Sequence, residues 1–334
     1  MNAASSEQEL KDEIEHLERQ LTATRSELKQ LSQPPSPPPV PPIINHGISI
    51  NPLPQLIPNP HAYTHFPAPL SPSTHYTHAL LLLSDSALPL GSFAFSSGLE
   101  SYLAHHKHKA LPPLHSFHRF LHLSLTSVAG IAIPYIRAAY ESPAEIELLD
   151  SEFDAVTVCT VARRASVAQG RALLGVWERA LRPPASFSSS TTAGISATAA
   201  EAATEALTAF STLLKSPSPI PTPTATAPDP LGPNGHFPPL WSLVCLSLCI
   251  PLRQTAYVFL LNHAKAVVSA SVRAGVMGPY QAQAVLASQW LQDKIRRGLE
   301  GNWDVGREEA GQCVPVLEIW GGRHELLYSR IFNS

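Results

Sequence analysis

The residues with the clearest capacity for chemistry are histidines and cysteines. Residues 104–109 read AHHKHK, placing the imidazoles of His105, His106 and His108 within four positions. Imidazole is a good ligand for nickel, copper and zinc. No carboxylate or thiolate accompanies the three, however, and Lys107 and Lys109 add positive charge. The segment therefore reads first as a solvated helix end, where His and Lys offset the dipole, and only weakly as a metal site. His61, His65, His75 and His78 are too loosely spaced for one preformed site. Cys245 and Cys249 stand four apart among Leu, Val and Ile, which predicts buried thiols rather than ligands. Catalytic motifs are missing. The chain has no Gly-x-x-x-x-Gly-Lys-Ser/Thr phosphate loop, no Gly-x-Ser-x-Gly elbow and no His-Glu-x-x-His zinc helix. The expectation is a binding protein with no catalytic residues, no tightly bound cofactor and no confident metal set.

The surrounding elements read as helical. Of 334 residues 44% are hydrophobic, enough for one good core, whereas 33 prolines require linker stretches. A net charge of −3 offers no field for nucleic acid or anionic lipid. The apolar run Trp241–Leu252 is about half a membrane span, so no membrane association is expected. Four cysteines without disulfide-like spacing, behind a start reading MNAASSEQELKDE, predict a reduced, cytoplasmic setting.

Residues 1–33 carry Leu10, Ile14, Leu17, Leu21, Thr24, Leu28 and Leu31 at alternating steps of four and three, a heptad helix suited to a coiled coil. Residues 34–72 are a proline-rich, disordered tether. Residues 73–334 form the main helical domain, interrupted by a low-complexity surface insertion at 183–235 that contains an alanine-rich run, Thr198–Leu214, with the composition of a short helix. Helices are predicted over Leu114–Tyr140, kinked or broken at Pro134, and over Ala144–Thr160, Ser166–Leu181, Pro239–Ile250, Arg253–Gly275 and Tyr280–Leu299. The fold class is an all-α helical bundle.

Four segments stand out within that frame. Ser97 and Glu100, bracketing Gly98, have capping-box spacing, which assigns Glu100 a structural role at a helix start. Gly170 lies on an apolar helical face with Leu173, Leu174, Trp177 and Leu181, where a glycine implies close approach of another helix. In the helix from Arg253, Gln254, Asn262, Lys265, Ser269 and Arg273 share a polar face, either solvated or an interface. The end of the chain, GGRHELLYSRIFNS, places Leu326, Leu327, Tyr328, Arg330, Ile331 and Phe332 behind Gly321-Gly322, read as a hinge for a docking tail over 321–334 that must settle either on its own core or on another protein.

Taken together, SDSALPLGSFAFSSGLE, ARRASVAQGRALL, RQTAYVFLLNHAKAVVSASVRAGVMGPYQAQ and the terminal RHELLYSRIF-S resemble the urease accessory protein UreF family, in the family's order. The resemblance implies an all-α homodimer acting in urease maturation. It implies partners in UreD (also called UreH), the GTPase UreG and urease apoprotein, with nickel as the cargo of the pathway. By the same resemblance Tyr328, Arg330, Ile331 and Phe332 dock on UreD, and Lys265 and Arg273 face the GTPase. The heptads, the tether and the insertion are not part of the family pattern. Phe95 stands where many bacterial members have tyrosine, and Asn333 where they have arginine.

Overall fold

A computed structural model describes residues 72–106, 112–183, 195–216 and 232–333, all within one unit. The heptad segment, nearly all of the tether and His108 lie outside the described residues, as do parts of the 183–235 segment. Eleven α-helices are present among the described residues, and no strand. In chain order they are α1 (Pro72–Ser84), α2 (Leu99–His106), α3 (Pro113–Glu141), α4 (Ile146–Val156), α5 (Thr160–Val176) and α6 (Ala197–Lys215). They continue as α7 (Phe237–Ser247), α8 (Leu252–Arg273), α9 (Pro279–Ala287), α10 (Gln289–Gly301) and α11 (Pro315–Arg323). The all-α class is therefore correct.

At the centre lies α7, the most apolar of these helices, with every residue from Pro238 to Ser247 buried. Around it pack α3, α5, α6 and α8. Its polar groups are satisfied inside the bundle: Trp241 Nε1 donates to Thr255 O at 3.0 Å and Trp177 Nε1 to Ser247 Oγ at 3.0 Å. Without such partners each buried donor would cost about 1–3 kcal/mol. The start of α7 is held by the buried Asp150. Its carboxylate accepts from the backbone N–H groups of Asn234 (2.6 Å), Gly235 (3.0 Å) and His236 (2.6 Å), supplying the negative charge that a helix N-terminus favours. His236 is itself fully buried between Asp154 Oδ1 (3.0 Å) and Ser166 Oγ (3.1 Å). Gly170 belongs to this junction. A Cβ there would lie 2.1 Å from Gly235 O, so the close approach read from sequence is real, but the approaching element is the entry to α7 rather than the side of a helix.

Three expectations need correction. The alanine-rich run is not part of a surface insertion: α6 buries Ala203, Leu207 and Phe210 against α7, and Ser196 caps it by accepting from Ala199 N at 3.2 Å. The segment over 280–299 is two helices, because Ser288 ends α9 and caps α10, its Oγ accepting from Leu291 N at 3.2 Å. Pro134 does not break α3, which runs unbroken for 29 residues. The helix is long and apolar enough to cross a bilayer by composition, but 67% of that window is buried inside the bundle, as for a core helix.

Candidate functional site

The C-terminal arm, residues 324–333, begins where α11 ends and folds back on the body. Its anchor is Glu100. His324 Nε2 meets one carboxylate oxygen at 2.8 Å, Ile331 N donates to the other at 2.7 Å, and Phe332 N lies 3.3 Å from the first. His324 is fully buried and its Nδ1 has no hydrogen-bond partner, so the neutral tautomer that fits carries its proton on Nε2 and donates to the carboxylate. One side chain thus fixes both ends of a short excursion, residues 325–330.

Local backbone geometry leaves Glu100 free for this work. Ser97 (φ +53°) and Gly98 (φ +86°) both adopt left-handed conformations and turn the chain sharply before α2 starts at Leu99. The hydroxyl facing the Glu100 amide, at 3.4 Å, is that of Ser96. The capping box between Ser97 and Glu100 is therefore not formed, because a left-handed Ser97 stands outside the cap position while the carboxylate turns to the arm. Gly98 is also where α2 meets α11. A Cβ on it would stand 3.4 Å from Gly321 N, and one on Gly321 would stand 3.1 Å from Cys159 Sγ. Gly321-Gly322 is accordingly no hinge: both glycines lie inside α11, and Gly321 serves tight packing.

The residues assigned to partner docking separate into two sets. Phe332 is 4% exposed and lies under the Arg273 guanidinium, 4.4 Å from ring centroid to Cζ. It is an internal anchor, not a partner contact, since burying a phenyl ring is worth about 1.5–3 kcal/mol. Asn333 N adds a backbone bond to Ala94 O at 2.8 Å. Outward stand Tyr328 (107% exposed), Leu326 (79%) and Ile331 (64%), with Arg330 also exposed. The Arg164–Glu325 ion pair ties the start of the excursion to α5.

On α8, the sequence puts Lys265 and Arg273 on one polar face. The structure gives each a local task. Lys265 Nζ donates to Ser84 O and to Ser84 Oγ (2.8 Å), closing the C-terminal end of α1, and its burial lowers its pKa against a smaller opposing effect of Asp85. Arg273 covers Phe332 and remains exposed. Beside Lys265 opens a cavity of about 240 Å³ lined by Leu90, Phe95, Ile131, Phe259 and His263 among others. Desolvation holds His263 down to about 4, and its Nε2 meets Ser124 Oγ at 2.8 Å. Phe95 thus presents a bare ring to this cavity.

Of the three weak metal candidates, the structure describes only the side chain of His105. His105 is exposed and its Nδ1 donates to Ser101 O at 2.6 Å; His106 ends α2, and His108 lies outside the described residues. Cys245 is buried and Cys249 half-buried, with burial pushing both thiols up. Among the described residues no group of three or more His, Cys, Asp or Glu side chains could hold a metal. What sequence reasoning missed is the pairing of Glu100 with His324. The two are 224 residues apart, and neither has a local pattern that points to the other.

Fold and site together define a class: an all-helical protein whose distinctive feature is a folded-back arm with an apolar outward face. The UreF family profile matches residues 114–289. A UreF-like urease accessory protein of Schizosaccharomyces pombe is 35% identical over 258 residues, covering 77% of this chain and 97% of the relative. Urease accessory protein 6 of Cryptococcus neoformans is 24% identical over 80% of this chain and 100% of its own length, and urease accessory protein F of Arabidopsis thaliana is 26% identical over 75% and 90%. The chain belongs to the UreF family of urease accessory proteins.

Proposed function

We propose that this chain acts in urease maturation as a cytoplasmic, homodimeric adaptor that joins a UreD-type accessory protein and the GTPase UreG on urease apoprotein, in support of nickel insertion. The observation that carries this reading is the arm: Leu326, Tyr328 and Ile331 face outward from a segment whose two ends are held by Glu100. Exposed apolar residues on an ordered segment bind without a large ordering cost, and Tyr and Arg are the side chains on which interfaces concentrate their energy. The UreD contact therefore falls on Leu326, Tyr328, Arg330 and Ile331, with Phe332 acting behind them. Lys265 is occupied by Ser84, so the GTPase contact on α8 is left to the exposed Arg273. Four unpaired cysteines suit a reducing compartment.

The test is co-purification. Replacing Leu326 and Tyr328 together by alanine should abolish capture of the UreD-type partner while the helical circular dichroism and the melting temperature stay unchanged. Undiminished capture by this double variant would refute the assignment of the arm.

A further inference from the structure

On the face of α3 turned toward α10 stands a pair of histidines that the arm does not use. His118 and His122 are one helical turn apart, at i and i+4, the spacing that puts two side chains on one face about 5–6 Å apart at Cβ. This is the spacing by which two helix-borne imidazoles grip one ion in the His-Glu-x-x-His zinc helix.

Spacing alone would not distinguish this pair from two solvated histidines. The hydrogen bonds do. His118 Nδ1 donates to Leu114 O at 2.8 Å, so its Nδ1 carries the proton and its lone pair lies on Nε2. Thr126 Oγ1 donates to His122 O at 3.0 Å, which leaves that hydroxyl oxygen an acceptor, and His122 Nδ1 faces it at 3.5 Å. The His118 ring is thus oriented through Nδ1 by a carbonyl oxygen, the second-shell arrangement that metal-ligating histidines share, and both Nε2 atoms are left without a protein partner in the described hydrogen bonds. The His118 ring is further fixed by an edge contact with Trp290 of α10, at 4.9 Å and 83°.

The charged surroundings are Arg119 on α3 with Lys294 and Arg297 on α10. Lys294 Nζ lies over the Trp290 ring at 5.9 Å. Lys294 and Arg297 are both close enough to His122 to act on its charge. They also repel a cation, an effect that water and salt weaken at this exposed surface.

We propose that His118 and His122 form a two-imidazole surface site for a borderline-soft divalent transition ion, binding through both Nε2 atoms with water in the remaining positions. Nickel(II) and copper(II) are the ions best suited to such ligands. The site is separate from the AHHKHK segment and from the arm, and it does not depend on the adaptor reading.

Trp290 supplies a local reporter, because a paramagnetic ion held beside it quenches its fluorescence. The full-length chain would be titrated with NiCl2 or CuCl2, and the Trp290 signal isolated by subtracting the same titration of Trp290→Phe. Saturable quenching of the Trp290 component is expected, with apparent affinity falling by about tenfold or more in both His118→Ala and His122→Ala. His122 is exposed and His118 partly so, and unchanged circular dichroism would show that the variants fold. Thr126→Val, which removes the oxygen facing His122 Nδ1, should weaken binding by a smaller factor. Absence of saturable quenching, or quenching that survives loss of either histidine, overturns the proposal.

Discussion

Single residues in this molecule do their work through what burial forces on them. His263 is the clearest case. Enclosed beside the cavity and bonded to Ser124, it is held to a pKa of about 4, below the ordinary value of 6.5, because burial penalises the imidazolium. The unfolded chain therefore takes up a proton on this residue at a higher pH than the folded one does. Stability from keeping His263 neutral is complete above pH 6.5 and is lost as pH falls from 6.5 toward 4. Urea midpoints measured from pH 7 to pH 4.5 should fall, with His263 contributing on the order of 2 kcal/mol near the acid end. His263→Gln should flatten that slope. An unaltered slope in this variant would show that other groups control the acid response. Glu100, a partly buried carboxylate, shows another use of an ionisable side chain. Its carboxylate is met by one imidazole and two backbone amides, which is how one side chain holds both ends of the arm.

Elements place these residues, and two glycines on one helix show how differently an element can use the same residue. Gly170 and Gly175 both lie in α5. A Cβ at Gly170 would drive into Gly235 O and the backbone of 236–237, which cannot yield without displacing the start of α7. A Cβ at Gly175 would meet only the far end of Arg179, at 3.8 Å. Gly175→Ala should therefore raise stability by up to about 1 kcal/mol through helix propensity. Gly170→Ala should lower it, by roughly 1–3 kcal/mol or more, through overpacking at the α5–α7 junction. Thermal unfolding of the two variants side by side checks this. Equal effects would mean that the junction is softer than its packing implies. The same junction marks how far the sequence could be read. The 3.6-residue periodicity located α3, α7 and α8 to within a few residues, and Gly170 was rightly read as a site of close approach. The approaching partner was not legible, because Gly235 lies 65 positions further on, within a segment whose composition resembles a linker. For the same reason α6 was read as peripheral. Ala, Thr and Glu dominate it, and the three residues that bury it, Ala203, Leu207 and Phe210, are diluted among small polar neighbours. Ser288 was passed over for the opposite reason: the helical pattern continues on both sides of it, and only its capping bond reveals a new start.

At the scale of the whole molecule the question is why the arm folds back at all. The tail was legible as an apolar end that must dock, but sequence could not say that it divides, with Phe332 packed inward and Tyr328 left exposed. That division is set by a carboxylate more than two hundred residues upstream. Holding both ends of residues 325–330 fixes a loop that would otherwise have to be ordered on binding, and each ordered residue costs about 1–2 kcal/mol of backbone entropy. Glu100→Ala should therefore act on partner binding without touching the outward face. Charge-assisted hydrogen bonds of this kind contribute on the order of 1.5–3 kcal/mol. Amide exchange at Ile331 and Phe332 should thus speed up by roughly tenfold to a hundredfold in the variant. Affinity for the UreD-type partner should fall with it, while Tyr328→Ala weakens binding and leaves exchange at 331 and 332 unchanged. The two variants separate presentation from contact. If Glu100→Ala accelerates exchange but binding is undiminished, the partner does not use the pre-ordered arm. If neither variant affects binding, the adaptor reading fails at this surface, and the contact must lie elsewhere on the bundle.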